Sequence, residues 1–185
     1  MKAKALVAAC AVMLAIGPAS AQHAQPYAGL QARPLKALSD EQVADLKAGR
    51  GMGLAMAAEL NGYPGPSHVL ELADSLALTA EQRARTQALF AAMKAESISL
   101  GEQVIAAEGD LDRAFATHTI TPASLTAATE TIGATQARLR ATHLKYHLAM
   151  IDVLTPEQVR RYNELRGYSD AAPSGHRPGM HHGMQ

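Results

Sequence analysis

Leu78-Thr79-Ala80-Glu81-Gln82 and Leu154-Thr155-Pro156-Glu157-Gln158 are two copies of one pentapeptide, Leu-Thr-x-Glu-Gln, in a chain of 185 residues. Each copy is first a helix start. The Thr hydroxyl can accept a hydrogen bond from the backbone N–H three residues on, and the Gln at that position can reach back to the Thr N–H. Together these make a capping box. Pro156 stands at the first helical position, where its missing N–H costs nothing. Glu81 and Glu157 put negative charge at the positive end of a helix dipole. The repeat therefore predicts two helices with the same N-terminal chemistry.

Working outward, the first copy opens a long helix. Its apolar positions Leu89, Met93, Leu100, Val104, Leu111 and Phe115 recur by fours and sevens along one face. Gly101 and Gly109 mark points where it can bend, and it ends near Thr117. Thr121-Pro122 opens a second long helix with the stripe Leu125, Ala128, Ile132, Leu139, Tyr146, Met150 and Val153. The turn between them is short, so the two pack as an antiparallel helical hairpin. The second pentapeptide heads a last short helix that stops at Gly167. Upstream, Ser39-Asp40-Glu41-Gln42 is a third capping box. It predicts a helix to about Leu60, weakened at Gly49, Gly51 and Gly53. Asn61 to Pro66 is a turn, followed by a short helix over roughly His68 to Leu76. No segment sustains strand-type alternation. The fold class is all-α: a long antiparallel helical hairpin with shorter flanking helices.

Residues 1–21 read as a secretory signal peptide. Lys2 and Lys4 form the basic start, and Ala5 to Ile16 an apolar run too short to span a bilayer. Ala19-Ser20-Ala21 is a small-x-small cleavage site. Val7-Ala8-Ala9-Cys10 is a competing lipoprotein-type site, but the apolar run continues past it. Cleavage after Ala21 sends the chain to the periplasm without a membrane anchor, and removes Cys10, its single cysteine. Losing Lys2 and Lys4 changes the balance of 17 basic and 17 acidic residues to 15 against 17. A net charge near −2 argues against nucleic acid as a partner. Residues 22–38 form a loose, aperiodic arm. Residues 39–168 are the helical domain. Residues 169–185, rich in Gly, Pro and His, are a tail unable to bury enough to order itself.

Two groups carry candidate metal chemistry. His143 and His147 stand one helical turn apart. Met150 is seven residues from the first and three from the second, so all three share an arc of about 60°. Met52, Met56 and Glu59 repeat the offsets 0, 4 and 7 in the earlier helix. Imidazole and thioether donors suit copper, nickel or cobalt, with zinc a further candidate. The bland reading is a buried, satisfied His143 and methionines that fill the core. The tail forms a second group, with His176, Met180, His181, His182 and Met184 in a flexible tract able to capture cations loosely. No cofactor is required otherwise. Cys nucleophiles leave with the signal, and no Gly-x-Ser-x-Gly, His-Glu-x-x-His or phosphate-binding glycine loop occurs. The chain reads as a non-enzyme.

With two Leu-Thr-x-x-Gln motifs heading helices in an exported helical chain, residues 39–167 resemble the Spy/CpxP family of periplasmic proteins. That family comprises ATP-independent chaperones and related heavy-metal-resistance and metal-sensor proteins. The resemblance implies a cradle-shaped antiparallel homodimer that binds unfolded or misfolded envelope proteins on its concave face. It carries over Leu78, Thr79, Gln82, Leu154, Thr155 and Gln158 as structural positions. It implies a chaperone of the envelope stress response, or alternatively a heavy-metal-binding resistance or sensor protein. A sensor kinase is a further partner in that family. Chaperone members carry a basic cradle, whereas this mature chain is slightly acidic, which leaves scattered Met, Leu and Phe as its client-facing chemistry.

Overall fold

Both pentapeptides close as capping boxes. The N–H groups of Gln82 and Gln158 donate to the hydroxyls of Thr79 and Thr155 at 3.1 and 3.2 Å. The Gln carboxamide oxygens accept from the Thr N–H groups at 3.0 and 2.9 Å. The structure, a computed structural model, describes residues 27–168. The signal peptide and the tail group His176, Met180, His181, His182 and Met184 lie outside the described residues. The chain divides into two compact units, Met1–Ala32 and Arg33–Gln185. The described part of the first holds one 3-10 turn, Leu30–Ala32.

The second unit is helical, without a strand among the described residues. Its elements are α1 (Asp40–Ala48), α2 (Met56–Glu59), α3 (Pro66–Glu71), α4 (Ala80–Ala116), α5 (Pro122–Ile151) and α6 (Pro156–Arg166). Ser39 and Thr121 cap α1 and α5 with further capping boxes. Partners on α4 and on α5 with the turn that follows it fall in reverse order along the chain. Gln82 Nε2 donates to the Val153 carbonyl at 2.9 Å, the Glu96 carboxylate accepts from Lys145 Nζ at 2.5 Å and Tyr146 Oη at 2.7 Å, and Arg138 donates to Gln103 Oε1 at 3.1 Å.

Two apolar clusters hold the unit together. Val69, Leu76, Met150, Val153, Leu154 and Tyr162 form one, with Leu78 and Leu89 against it. Leu46, Val104 and Leu139 form the other, with Leu38, Leu54 and Leu100. The Leu of each pentapeptide thus enters the first cluster. Burial of side chains of this size contributes about 1.5–3 kcal/mol apiece.

Three expectations change. The short helix expected over roughly His68 to Leu76 starts at Pro66 and stops at Glu71, with turns from there to Ala77. The helix expected from Asp40 to Leu60 is broken into α1 and α2. Gly49 takes the left-handed conformation (φ 64°) and its N–H caps the carbonyls of Asp45 and Leu46. Met52 and Gly53 then also take positive φ, 44° and 78°. Three glycines in five residues do more than weaken a helix; they terminate it. The apolar stripes also outrun the packing. Phe115 and Leu125 are exposed, because the flanking helix α1 lies lower on α4, where Gly101 meets Leu46.

Candidate metal centre

His143 and His147 project from within α5, and the groups facing them come from helix ends and a break. Gly49 turns the chain out of α1, so that residues 50–55 cross over α5, and Gly51 lies against the His143 ring. Gly65, the N-cap of α3, lies against the His147 ring. Between these segments and α5 is a cavity of about 530 Å³, lined by Met52, Met56, Glu59, His68, Met93, His143 and His147 among others. The two sequence groups, which spacing alone could not bring together, therefore face one cavity.

Met150 does not join them. It is fully buried in the apolar cluster with Val69, Leu76 and Tyr162. It does share its arc of α5 with the two histidines. However, it lies about 10 Å further along the axis than His143 at 1.5 Å per residue. There the neighbours of α5 are α3 and the segment around α6. Nor do Met52, Met56 and Glu59 form a helical face. Met52 lies in the break, Met56 begins α2, and Glu59 turns inward at its end.

Glu59 is the electrostatic hub. Its Oε1 accepts from Tyr162 Oη and from His68 Nδ1 (3.2 Å), and Arg166 Nε stands 3.7 Å away. Its Oε2 accepts from the Gly65 N–H (3.2 Å) and lies 3.6 Å from His147 Nδ1. Burial raises the pKa of this carboxyl. Hydrogen bonds from His68 and Tyr162, with the charges of His68 and His147, outweigh burial and bring it down to about 2. Burial and the Glu59 carboxylate push the Tyr162 phenol well above its ordinary range, so Tyr162 remains a donor. Spacing rules miss His68 and Tyr162 altogether. They reach Glu59 from nine and 103 residues away, through the fold alone.

The histidines differ. His147 Nδ1–H donates to the Tyr63 carbonyl at 2.7 Å. That contact fixes the tautomer and leaves the Nε2 lone pair free, the arrangement that orients metal-binding imidazoles. A Cβ on Gly65 would stand 2.9 Å from that Nε2, so the glycine keeps the position open. His143 is 3% exposed and its Nε2 is buried without a hydrogen-bond partner. Its pKa lies below the ordinary value, because burial disfavours imidazolium and His147 is close. A neutral imidazole with an orphaned nitrogen is not the satisfied core histidine of the bland reading. Met52 and Met56, 41% and 58% exposed, are not core filler either. Among the described residues no three His, Cys, Asp or Glu side chains converge to hold a metal ion. A metal here would need thioether donors, and the residues present fit such an ion.

The profile of a family described as heavy-metal resistance matches residues 51–161, from the break carrying Met52 into α6. The chain belongs to this family. No curated protein and no solved structure shows a significant match to it. In a heavy-metal resistance protein, a cavity lined by imidazole and thioether groups is the feature that bears directly on the family's description.

Proposed function

We propose that this chain is a periplasmic metal-binding protein of the heavy-metal resistance type, taking a transition-metal ion in the cavity between α5 and the Gly49–Gly65 segment. One observation carries the reading: Met52, Met56, His143 and His147 line a single cavity, and the buried Nε2 of this same His143 has no hydrogen-bond partner. His143 and His147 would hold the ion through neutral nitrogens. Met52 and Met56 would approach from the exposed side. Glu59, Tyr63 and Gly65 would orient His147 without touching the ion. Nothing in this arrangement acts on a substrate, so the role is binding rather than catalysis. Calorimetric titration tests it. Micromolar or tighter binding should persist when His176, His181 and His182 are replaced by alanine, and should be lost with His143→Ala. Binding only in the millimolar range would refute it.

A second reading is an ATP-independent chaperone of the Spy/CpxP type. Leu144, Leu148 and Ile151 stand at i, i+4 and i+7 on α5, and the last two are exposed. This apolar stripe suits an unfolded client or a second copy of the chain. The reverse-ordered contacts of α4 and α5 support the helical hairpin of a cradle, and the same stripe supports a homodimer. Suppression of client aggregation without ATP at near-stoichiometric ratio is the expected result. An intact protein that leaves aggregation unchanged would eliminate this role. Export with cleavage after Ala21, cation capture by the tail and a sensor-kinase partner complete the proposal; N-terminal sequencing of the periplasmic form checks the first.

A further inference from the structure

The charge inventory of the cavity says more than that it can hold a metal. Glu59 is the one acidic residue in its lining, and both of its oxygens already accept: Oε1 from Tyr162 and His68, Oε2 from the Gly65 N–H. The other charged residues of the lining are Arg50 and Lys94, both cations. Arg50 pairs with Asp45 at 2.5 Å, outside the lining. A divalent ion entering here would leave water to meet a single carboxylate already committed to three donors. That is the costly form of charge burial, and the cost grows with the square of the charge.

The neutral donors point the same way. Three thioethers line the cavity, those of Met52, Met56 and Met93. Met52 is held at φ 44°, a conformation unusual for a residue with a side chain, yet 41% of it is exposed. The Met56 Sδ lies near Gly53, 3.3 Å from where a Cβ would stand, so the glycine admits the sulfur to the same break. Thioethers are soft ligands that favour cuprous copper, whereas zinc, nickel and cobalt are better served by carboxylate, thiolate or a fuller set of imidazoles.

Building on the metal-binding reading, we propose that the cavity selects a soft monovalent cation, cuprous copper or silver, over divalent zinc, nickel and cobalt. The imidazoles of His143 and His147 and the sulfurs of Met52 and Met56 supply a neutral donor set. The Lys94 cation of the rim and the already committed carboxylate discriminate against the second positive charge.

The test uses the full chain with Cys10, Met13, His23, His176, Met180, His181, His182 and Met184 replaced by alanine, so that the donors outside the helical domain are removed save the initiator Met1. Silver is titrated directly. Cuprous ion is titrated anaerobically against a competing chelator, and zinc, nickel and cobalt in parallel. The expected result is one monovalent ion per chain, bound at least about tenfold more tightly than any divalent ion. Met52→Leu with Met56→Leu should weaken silver and cuprous binding about tenfold or more and leave zinc unchanged. Both residues are solvent-exposed, and circular dichroism of the double variant verifies its fold. Zinc, nickel or cobalt bound as tightly as cuprous ion would overturn the selectivity while leaving metal binding in place. An unchanged silver affinity in the double variant would overturn the thioether role. Failure of all five ions to bind would remove this inference together with the metal-binding function.

Discussion

Gln82 and Gln158, 76 residues apart, are hydrogen-bonded to each other in both directions. Gln82 Nε2 donates to Gln158 Oε1 at 2.8 Å and Gln158 Nε2 donates to Gln82 Oε1 at 3.0 Å. Each Nε2 also donates to a carbonyl beside the other motif, Gln82 to Val153 at 2.9 Å and Gln158 to Leu76 at 3.2 Å. Each Oε1 accepts from its own Thr N–H as well. A capping box accepts Glu or Gln equally. The amide is needed here because each side chain must donate and accept at once, and two carboxylates could not. The repeat is thus two halves of one junction that ties the start of α4 to the start of α6.

Gln82→Glu and Gln158→Glu should each keep their own cap and cost about 1 kcal/mol by losing donors. The double variant places two carboxylates face to face. At neutral pH its loss should exceed the sum of the singles by about 1 kcal/mol or more, and the excess should shrink below about pH 5 as one carboxyl takes a proton. Urea unfolding of the four proteins measures this. Additivity at neutral pH would contradict the pairing. Thr79→Ala and Thr155→Ala, which remove cap acceptors, should cost about 1 kcal/mol each.

What was legible in the sequence were the local devices. The capping boxes at Ser39, Thr79 and Thr155 and the Thr121-Pro122 start need a few residues and no tertiary context, and the starts of α1, α4, α5 and α6 follow from them. The Gln82–Gln158 bond needs the fold, so the repeat displayed its capping half alone. The same boundary runs through the metal centre. Helical spacing placed His143, His147 and Met150 on one arc. It could not say that α5 meets the Gly49–Gly65 segment beside the histidines and an apolar cluster beside Met150. At residues 49–53 helical periodicity and glycine chemistry conflicted, and the glycines prevailed.

Gly101 is a contact point. A Cβ there would lie 2.4 Å from the Leu46 carbonyl oxygen and 2.9 Å from its carbon, both backbone atoms. Gly101→Ala should displace α1 and cost about 1–3 kcal/mol. Gly133 on α5 has no atom within 4 Å of the same position. Gly133→Ala should therefore stabilise by up to about 1 kcal/mol through helix propensity. Thermal unfolding of the two variants should shift in opposite directions; equal shifts would contradict the packing.

Stability should fall in two stages as the solution is acidified. The folded pKa of His143 lies below the ordinary 6.5. Its contribution is complete above that value and is lost as pH falls from 6.5 through the folded pKa, because the unfolded chain binds the proton first. Glu59 titrates near 2 in the fold against 4.5. Its contribution is complete above 4.5 and is lost between there and about 2. His143→Gln should flatten the upper stage and Glu59→Gln the lower. Glu59→Gln should also cost about 2 kcal/mol at pH 7, since an amide cannot replace the carboxylate as acceptor for Tyr162, His68 and the Gly65 N–H together. Denaturant midpoints across pH 2–8 measure both stages; because Glu96 and Glu157 are also held below the ordinary carboxyl value by their hydrogen bonds, the lower stage should shrink rather than vanish, and one undiminished by Glu59→Gln would displace Glu59 from this role.

Gly65→Ala separates the orientation of His147 from the donors themselves. The new Cβ would lie 2.8 Å from Cε1 and 2.9 Å from Nε2 of His147, and 3.4 Å from Glu59 Oε2. Gly65 has φ −85°, so alanine brings no backbone strain, and the whole effect falls on the ring. To make room, His147 must rotate and give up the 2.7 Å bond from Nδ1 to the Tyr63 carbonyl. That bond fixes which nitrogen carries the proton. Loss of such an outer contact weakens metal affinity about 10–100-fold. Silver affinity should fall by that factor, and the imidazole nitrogen resonances of His147 should lose the signature of a single tautomer. His143 is not among the three atoms nearest that Cβ, so its resonances should shift less than those of His147. Unchanged affinity with a displaced His147 would remove that residue from the donor set and leave His143 with the methionines.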